Sequence, residues 1–218
     1  MEEENRNLLI KGANIFGIHL DKKSVEAFDL YLKELLKWNQ KINLTAIRTE
    51  NGIVIKHFLD SLSVLPHLPI LSSLLDIGAG AGFPGIPLKI AEPSLQMTLI
   101  DSVRKKVDFQ NHIIRMLGLK EIRAIHGRVQ DKEVLQNLRG QYDAVISRAF
   151  SDFRTLLLLS SPFLKKGGMV LAMKGEEDLK AILFLTERED IPYHLKKTVS
   201  LLLPFSSFKR ALFLFEKK

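Results

Sequence analysis

Apolar residues recur along this chain at two spacings, and the spacing changes near residue 70. Before that point Val25, Phe28, Leu32, Leu35 and Leu36 repeat three and four apart up to Trp38, the period of an amphipathic helix. Asp21, in Leu20-Asp21-Lys22-Lys23-Ser24-Val25, suits the N-cap, and Leu20 is placed to staple onto Val25. A helix is expected over Leu8 to Phe16, and another over His57 to Leu65, stopped by Pro66. No strand pattern shows in this part. Beyond it, short apolar runs predict strands at Ser73 to Ile77, Met97 to Asp101, Ile122 to His126, Tyr142 to Ser147 and Met169 to Lys174. Helical stretches separate them. One covers Val103 to Leu117, with Val103, Val107, Ile114 and Leu117 on one face and Gly118 closing it. Such alternation builds a mostly parallel sheet covered on both faces. The last two runs, Thr198 to Leu203 and Ala211 to Phe215, are split by Pro204-Phe205-Ser206-Ser207 with no helix between them. They predict an antiparallel hairpin at the sheet edge, which makes seven strands in all.

The division that follows is a helical extension over 1–70 and an α/β domain of Rossmann-like type over 71–218, in one compact unit. With 218 residues, 46% of them hydrophobic, the chain has enough material for one large core but not for three domains. No apolar run approaches the twenty or so residues of a membrane span, and the first residues lack the basic-then-apolar layout of a secretion signal. A cytoplasmic protein, without a membrane partner and monomeric, is expected. There is no cysteine, so disulfides, thiolate metal sites and a cysteine nucleophile are excluded. The six histidines lack HExxH spacing, and no metal is expected. The net charge of +7 favours a polyanionic partner, although no dense basic tract marks where it binds.

Candidate chemistry gathers where the first strand ends. Asp76-Ile77-Gly78-Ala79-Gly80-Ala81-Gly82-Phe83-Pro84-Gly85 has the shape of a nucleotide-binding turn, because glycine accepts positive φ and lets backbone N–H groups approach a ligand. Two frames compete. Gly80-x-Gly82-x-x-Gly85 fits a dinucleotide turn, whereas Gly78-x-Gly80-x-Gly82 fits that of S-adenosylmethionine-dependent methyltransferases. The residue directly after the strand is Gly78, and this favours the second. Asp101, nineteen residues after Gly82, ends the next strand, where a carboxylate can accept from both ribose hydroxyls or cap the following helix. Asp76 has two readings, a contact to the cofactor's amino group or a structural acid holding the turn. Gly127-Arg128-Val129-Gln130-Asp131 follows the third strand, where an adenine would lie. Arg148 and Lys174 stand just past two further strand ends, each open to a cofactor, RNA or plain solvent role.

Taken in order, Trp38-Asn39-Gln40-Lys41-Ile42-Asn43-Leu44-Thr45, His57-Phe58-Leu59-Asp60-Ser61, the glycine turn through Leu88, Ser147-Arg148-Ala149-Phe150 and Met173-Lys174-Gly175 resemble the bacterial small-subunit rRNA guanine-N7 methyltransferases, the RsmG (GidB) family. The likeness runs from about Leu30 to Gly175. The WNxxxNLT and ISRAF blocks are its most specific parts. It implies a class I methyltransferase fold with a helical extension, S-adenosyl-L-methionine as cofactor, and methylation of one guanine in the 530 loop of 16S rRNA, in the small subunit or its precursor. Carried over, cofactor contacts fall on Gly78, Phe83, Val129, Gln130 and Arg148, with Asp101 at the ribose; the reading of the turn itself adds Asp76, Gly80 and Gly82 as cofactor candidates. Asn43 and Lys174 become groups that orient the substrate, and His57 and Arg128 face RNA. Position 81 is Ala where relatives often have Pro, and position 83 is Phe where many have Leu; neither change removes a group needed for chemistry. Guanine N7 attacks with a lone pair, so no general base is expected. A nicotinamide-dependent oxidoreductase and a non-catalytic RNA-binding assembly factor are the alternatives.

Overall fold

A computed structural model describes residues 1–68, 72–148, 150, 152–175 and 191–218. The boundary expected at 70–71 and Ala149 of the ISRAF block lie outside the described residues. Two long helices open the chain, α1 (Glu3–Ile15) and α2 (Lys22–Asn39). Asp21 caps α2, its side chain accepting from the Ser24 N–H at 2.7 Å. The third helical stretch starts earlier than the sequence pattern indicates. It comprises α3 (Glu50–Ile53), a π-helical segment Val54–Leu59 and α4 (Asp60–Leu62). Pro66 lies in a short 3-10 turn after it.

The sheet follows in the order β3-β2-β1-β4-β5-β7-β6. Strands β1 (Ser73–Ile77), β2 (Gln96–Asp101), β3 (Ile122–His126), β4 (Tyr142–Ser147) and β5 (Leu164–Lys174) are parallel. β6 (Tyr193–Leu202) and β7 (Lys209–Lys217) form the expected antiparallel hairpin, with β7 inserted between β5 and the edge strand β6. Helices α5 (Gly85–Ala91), α6 (Arg104–Met116), α7 (Lys132–Leu138) and α8 (Phe153–Ser160) complete the fold. No helix among the described residues is long and apolar enough to cross a membrane.

Both sheet faces are buried because successive side chains point to opposite sides. Leu74, Leu99, Ile146, Leu171 and Leu214 join one core, while Leu75, Ile100, Val145, Val170 and Phe215 join the other. The first core also takes Leu9, Phe28, Tyr31, Leu35 and Phe58, so the N-terminal helices pack directly on the sheet. α7 and α8 cover the opposite face through Val134, Leu138, Leu156 and Leu157.

Three expectations are corrected. Val103 is exposed at the start of α6, whose buried side is Val107, Phe109, Gln110 and Ile113. β5 begins at Leu164 rather than Met169, because Lys165, Lys166 and Gly167 read as a turn yet continue the strand in solvent. β6 begins at Tyr193 rather than Thr198, its exposed lysines hiding an edge strand whose outer side faces water.

Candidate functional site: two adjoining clefts

Five parallel strands end at one edge, and the chemistry-bearing residues collect there. The strand phase is as the sequence indicates: β1 stops at Ile77 and Gly78 follows with φ 73°. Four side chains then fix the glycine turn. Asp101 Oδ2 accepts from the Gly80 N–H at 2.8 Å, and Gln110 Nε2 donates to the Gly80 carbonyl at 2.8 Å. Tyr31 Oη, from α2, donates to the Ala81 carbonyl at 2.5 Å, and Asp76 Oδ2 accepts from the Gly85 N–H at 2.9 Å. Glycine is required at Gly85, where an added Cβ would lie 2.2 Å from Leu99 Cδ2 and 2.9 Å from Asp76 Oδ2. It is also required at Gly82, with φ 96° and Ile86 Cδ1 2.4 Å from where a Cβ would sit.

One cleft opens beside this turn, lined by Gly78, Asp101, Val129, Gln130 and Phe150 among others. Asp101 is nearly buried, and its Oδ1 accepts from the Val103 N–H at 2.8 Å. It therefore acts at the start of α6 and at the turn together. A carboxylate has about four acceptor sites, so two remain for a ligand. Arg128 lines the same cleft with an exposed side chain. Asp76 does not line it. The carboxyl is fully buried, and burial pushes it up to about 7, opposed by the Gly85 N–H and Arg148. Its Oδ1 has no hydrogen-bond partner among the described residues. Gly82 and Phe83, expected at the cofactor, are buried away from the cleft. The Phe83 ring fills an aromatic stack, 4.4 Å from His57 and 5.4 Å from Tyr31.

A second cleft, of about 320 Å³, lies across Arg148 and is lined by Lys56, His57, Asp60, Arg148, Lys174 and Arg210 among others. Asp60 and Arg210, 150 residues apart in the chain, meet here. Arg210 Nε donates to Asp60 Oδ1 at 3.0 Å, and Arg148 Nη1 stands 3.5 Å from Asp60 Oδ2 and 3.3 Å from the Lys56 carbonyl. Asp60 is 1% exposed, and burial raises its carboxyl against the pull of the two guanidiniums. The π-helical segment presents Lys56 and His57, an irregularity that recurs at functional sites. Burial, reinforced by the charge of Arg148, lowers the His57 imidazole to about 3 and keeps it neutral. Its Nε2 lies 2.7 Å from Thr45 Oγ1. Lys174 Nζ sits 5.3 Å from the centroid of the Phe153 ring.

The WNxxxNLT block explains how His57 is held. Asn39 brackets the loop after α2, its Oδ1 accepting from the Leu44 and Thr45 N–H groups and its Nδ2 donating to the Thr45 carbonyl. Thr45 in turn meets His57. Asn43 is exposed on that loop and is not among the residues lining either cleft. Sequence reasoning passed over Tyr31, Asn39, Thr45, Asp60 and Gln110. A local signal existed only for Asp60, a lone acid inside the apolar stretch from Ile53 to Leu65.

Comparison with known proteins agrees with this arrangement. The family profile described as rRNA small subunit methyltransferase G matches residues 24–205. A ribosomal RNA small subunit methyltransferase G of Geotalea uraniireducens is 40% identical over all of this chain and 99% of its own. Its counterpart in Acetivibrio thermocellus is 39% identical over 97% of this chain and 88% of the relative. Among solved structures, a SAM-dependent methyltransferase from Aquifex aeolicus superposes with TM-score 0.57 at 16% identity, covering 75% of this chain and 92% of the other. A predicted O-methyltransferase from Agrobacterium tumefaciens gives 0.58 at 14% identity, covering 71% and 79%. These two likenesses show the fold: a class I methyltransferase sheet, mostly parallel with an antiparallel end.

Proposed function

This chain belongs to the rRNA small subunit methyltransferase G family, and from that membership we propose that it methylates N7 of one guanine in the 530 loop of 16S rRNA. The cofactor is S-adenosyl-L-methionine, which supplies an electrophilic methyl group on a sulfonium. The cleft residues fit it. Gly78, Val129 and Gln130 line the adenosyl position, and Asp101 keeps two acceptor sites for the ribose hydroxyls. The unpartnered, buried Oδ1 of Asp76 calls for a donor, which the methionine ammonium would supply. Arg148 spends one nitrogen on Asp60 and the Lys56 carbonyl, leaving further donors for the methionine carboxylate.

The observation that carries the N7 reading is that no free base lines the second cleft among the described residues. Its carboxylate, Asp60, is held by two arginines, and its imidazole is buried, neutral and bound to Thr45. Guanine N7 needs no proton removed, so catalysis reduces to placing nucleophile and methyl in line, worth roughly 7 to 11 kcal/mol. Lys174 is assigned to guanine O6, which lies beside N7 on the same edge as a second acceptor. Folded RNA hides that edge in a deep, narrow groove, so the target guanine enters unstacked.

The test is methyl transfer from labelled cofactor to 16S rRNA, free and in the small subunit, with mass mapping of the product. One 7-methylguanosine in the 530 loop is expected, and the same mark disappears from a strain lacking the protein. Methylation at another atom or loop overturns the assignment. Binding of NAD without S-adenosylmethionine would return the chain to the oxidoreductase reading. Arg148→Ala is expected to raise the cofactor Kd; unaltered cofactor binding with weakened RNA binding assigns that residue to RNA.

A further inference from the structure

The large apolar side chains most exposed among the described residues are seven, and three of them, Leu202, Phe205 and Phe208, fall at the tip of the β6–β7 hairpin. Phe205 and Phe208, 54% and 39% exposed, are the aromatic ones. The tip is rigid. The Leu203 N–H donates to the Phe208 carbonyl at 2.9 Å, Ser206 Oγ donates to the Leu203 carbonyl at 2.9 Å, and the Phe208 N–H donates to Ser206 Oγ at 3.2 Å. Leu203 and Pro204 anchor it in the interior. Phe205 has φ 59°, a left-handed conformation that glycine or asparagine adopts with far less strain than a bulky aromatic. The fold thus holds a phenylalanine in solvent at a position where its backbone is disfavoured.

This tip is continuous with the acceptor cleft. Lys56 Nζ lies 3.9 Å from the centroid of the Phe208 ring, and Lys56 itself lines the cleft. Arg210, two residues beyond Phe208 on β7, reaches Asp60 in the same cleft. Exposed aromatic faces therefore alternate with Lys56 and Arg210 along a path that leads to the acceptor site. Charge chooses the occupant: among the described residues lining the cleft, Asp60 is the one carboxylate, against Lys56, Arg148, Lys174 and Arg210. Aromatic faces interleaved with cations suit a single strand of nucleic acid, whose bases stack and whose phosphates pair.

We propose that the hairpin tip is a stacking platform for unpaired RNA bases flanking the target guanine, with Phe205 and Phe208 carrying the bases and Lys56 and Arg210 the phosphates. This rests on the rRNA methyltransferase reading for the identity of the strand, but not for its chemistry. Rigidity at the tip lowers the ordering cost of binding. The family profile ends at residue 205, so Phe208 and Arg210 lie beyond the matched pattern.

The experiment measures the Kd of the full chain for a short single-stranded oligoadenylate, with KM for 16S rRNA and Kd for S-adenosylmethionine alongside. Phe205→Ala with Phe208→Ala is expected to raise the oligoadenylate Kd roughly tenfold for each base that stacks, and the rRNA KM with it. Cofactor Kd and kcat at saturating RNA stay unchanged. Trp at both positions restores binding, and Leu does not. Equal performance of Leu and Phe overturns the proposal in favour of an apolar protein contact, and so does an unchanged oligoadenylate Kd in the Ala variant. Phe205→Ala alone, outside the Lys56 contact, serves if the double variant does not fold. If the wild type binds oligoadenylate through these rings yet fails to methylate rRNA, the enzymatic reading falls and the platform stands.

Discussion

The first cleft rests on a tied-down backbone turn, and the second cleft beside it is lined by charged side chains. Beside the first, a short run from Asp76 to Gly85 folds on itself, the N–H groups of Gly78, Gly80, Gly82 and Gly85 all taken up within the protein, and the side chains of Tyr31, Asp76, Asp101 and Gln110 hold that run still. In the second, Lys56, His57, Asp60, Arg148, Lys174 and Arg210 arrive from separate elements, and a buried carboxylate holds two of the cations in place. A backbone site tolerates few changes of shape. A side-chain site tolerates shape changes but depends on charge balance. The two clefts therefore predict different failures.

The largest effect is expected on the acceptor side. Asp60→Ala leaves two guanidiniums without their shared counter-charge, and breaking a buried ion pair typically costs about 3–5 kcal/mol. The guanidinium side chains of Arg148 and Arg210 are 26% and 28% exposed, so water offsets part of this and about 3 kcal/mol is the expected loss in urea unfolding. Acceptor KM rises steeply, while cofactor Kd rises less than in Arg148→Ala, since the guanidinium is loosened but still present. A loss of cofactor affinity as large as that of Arg148→Ala breaks the distinction between the clefts.

Gly85→Ala tests the other side. The new methyl meets Leu99 and Asp76 and costs about 1–3 kcal/mol as overpacking. Because Asp76 holds the turn through the Gly85 N–H, displacement propagates to the cofactor cleft. Isothermal titration is expected to show weakened S-adenosylmethionine binding. A destabilised variant with wild-type affinity would mean that the turn does not depend on this contact.

The pH dependence sets one residue from each region against the other. His57 is held near 3, below its ordinary 6.5, so its contribution is complete above about pH 6.5 and is lost as the pH falls toward 3. Asp76 is raised to about 7 from 3.8, so its contribution is complete at low pH and is lost as the pH rises from about 4 to 7. Each proton changes stability by at most about 1.4 kcal/mol per pH unit, and between pH 4 and 6.5 the two oppose. His57→Gln is expected to give stability that falls with pH across this window, and Asp76→Asn stability that rises. Two slopes of the same sign in urea titrations would remove the basis for treating both groups as neutral.

The same contrast explains what could be read along the chain. β1 and β4 match the predicted bounds because their runs are mostly apolar and buried on both faces, and the edge strand β3 matches as well although none of its residues is fully buried. The turn was legible because its constraints are local: positive φ at Gly78, Gly80 and Gly82 demands glycine wherever the rest of the chain lies. The pairing of Asp60 with Arg210 was not, since it spans 150 residues and no local pattern joins the two. The surroundings of Phe83 were not legible either, since α2 and the π-helical segment bring Tyr31 and His57 against its ring from distant parts of the chain. β5 and β6 were shortened because exposed lysines conceal strand ends that have one face in water.

The smallest effect concerns a line of contacts that joins the two regions through His57. Asn39 fixes the loop, Thr45 fixes His57, and His57 stacks on Phe83, a residue of the glycine turn. Thr45→Val keeps the branched shape and removes the hydroxyl that meets His57 Nε2 at 2.7 Å and accepts from the Ile47 N–H at 3.1 Å. A hydrogen bond of this kind contributes about 1 kcal/mol, with somewhat more at stake because His57 is buried and its Nδ1 already lacks a partner. The Asn39 contacts remain, so the loop keeps its place and the loss falls on the orientation of the imidazole. Single-turnover methylation is expected to slow by about tenfold or less, with cofactor Kd unchanged. The direction of any change in cofactor affinity is the informative part. His57 touches Phe83 through ring faces, which transmit position weakly, whereas Tyr31 and Gln110 grip the turn through hydrogen bonds. Cofactor binding that weakens with Thr45→Val would show that the stack, rather than those bonds, sets the turn, and the two clefts would then be one mechanical unit.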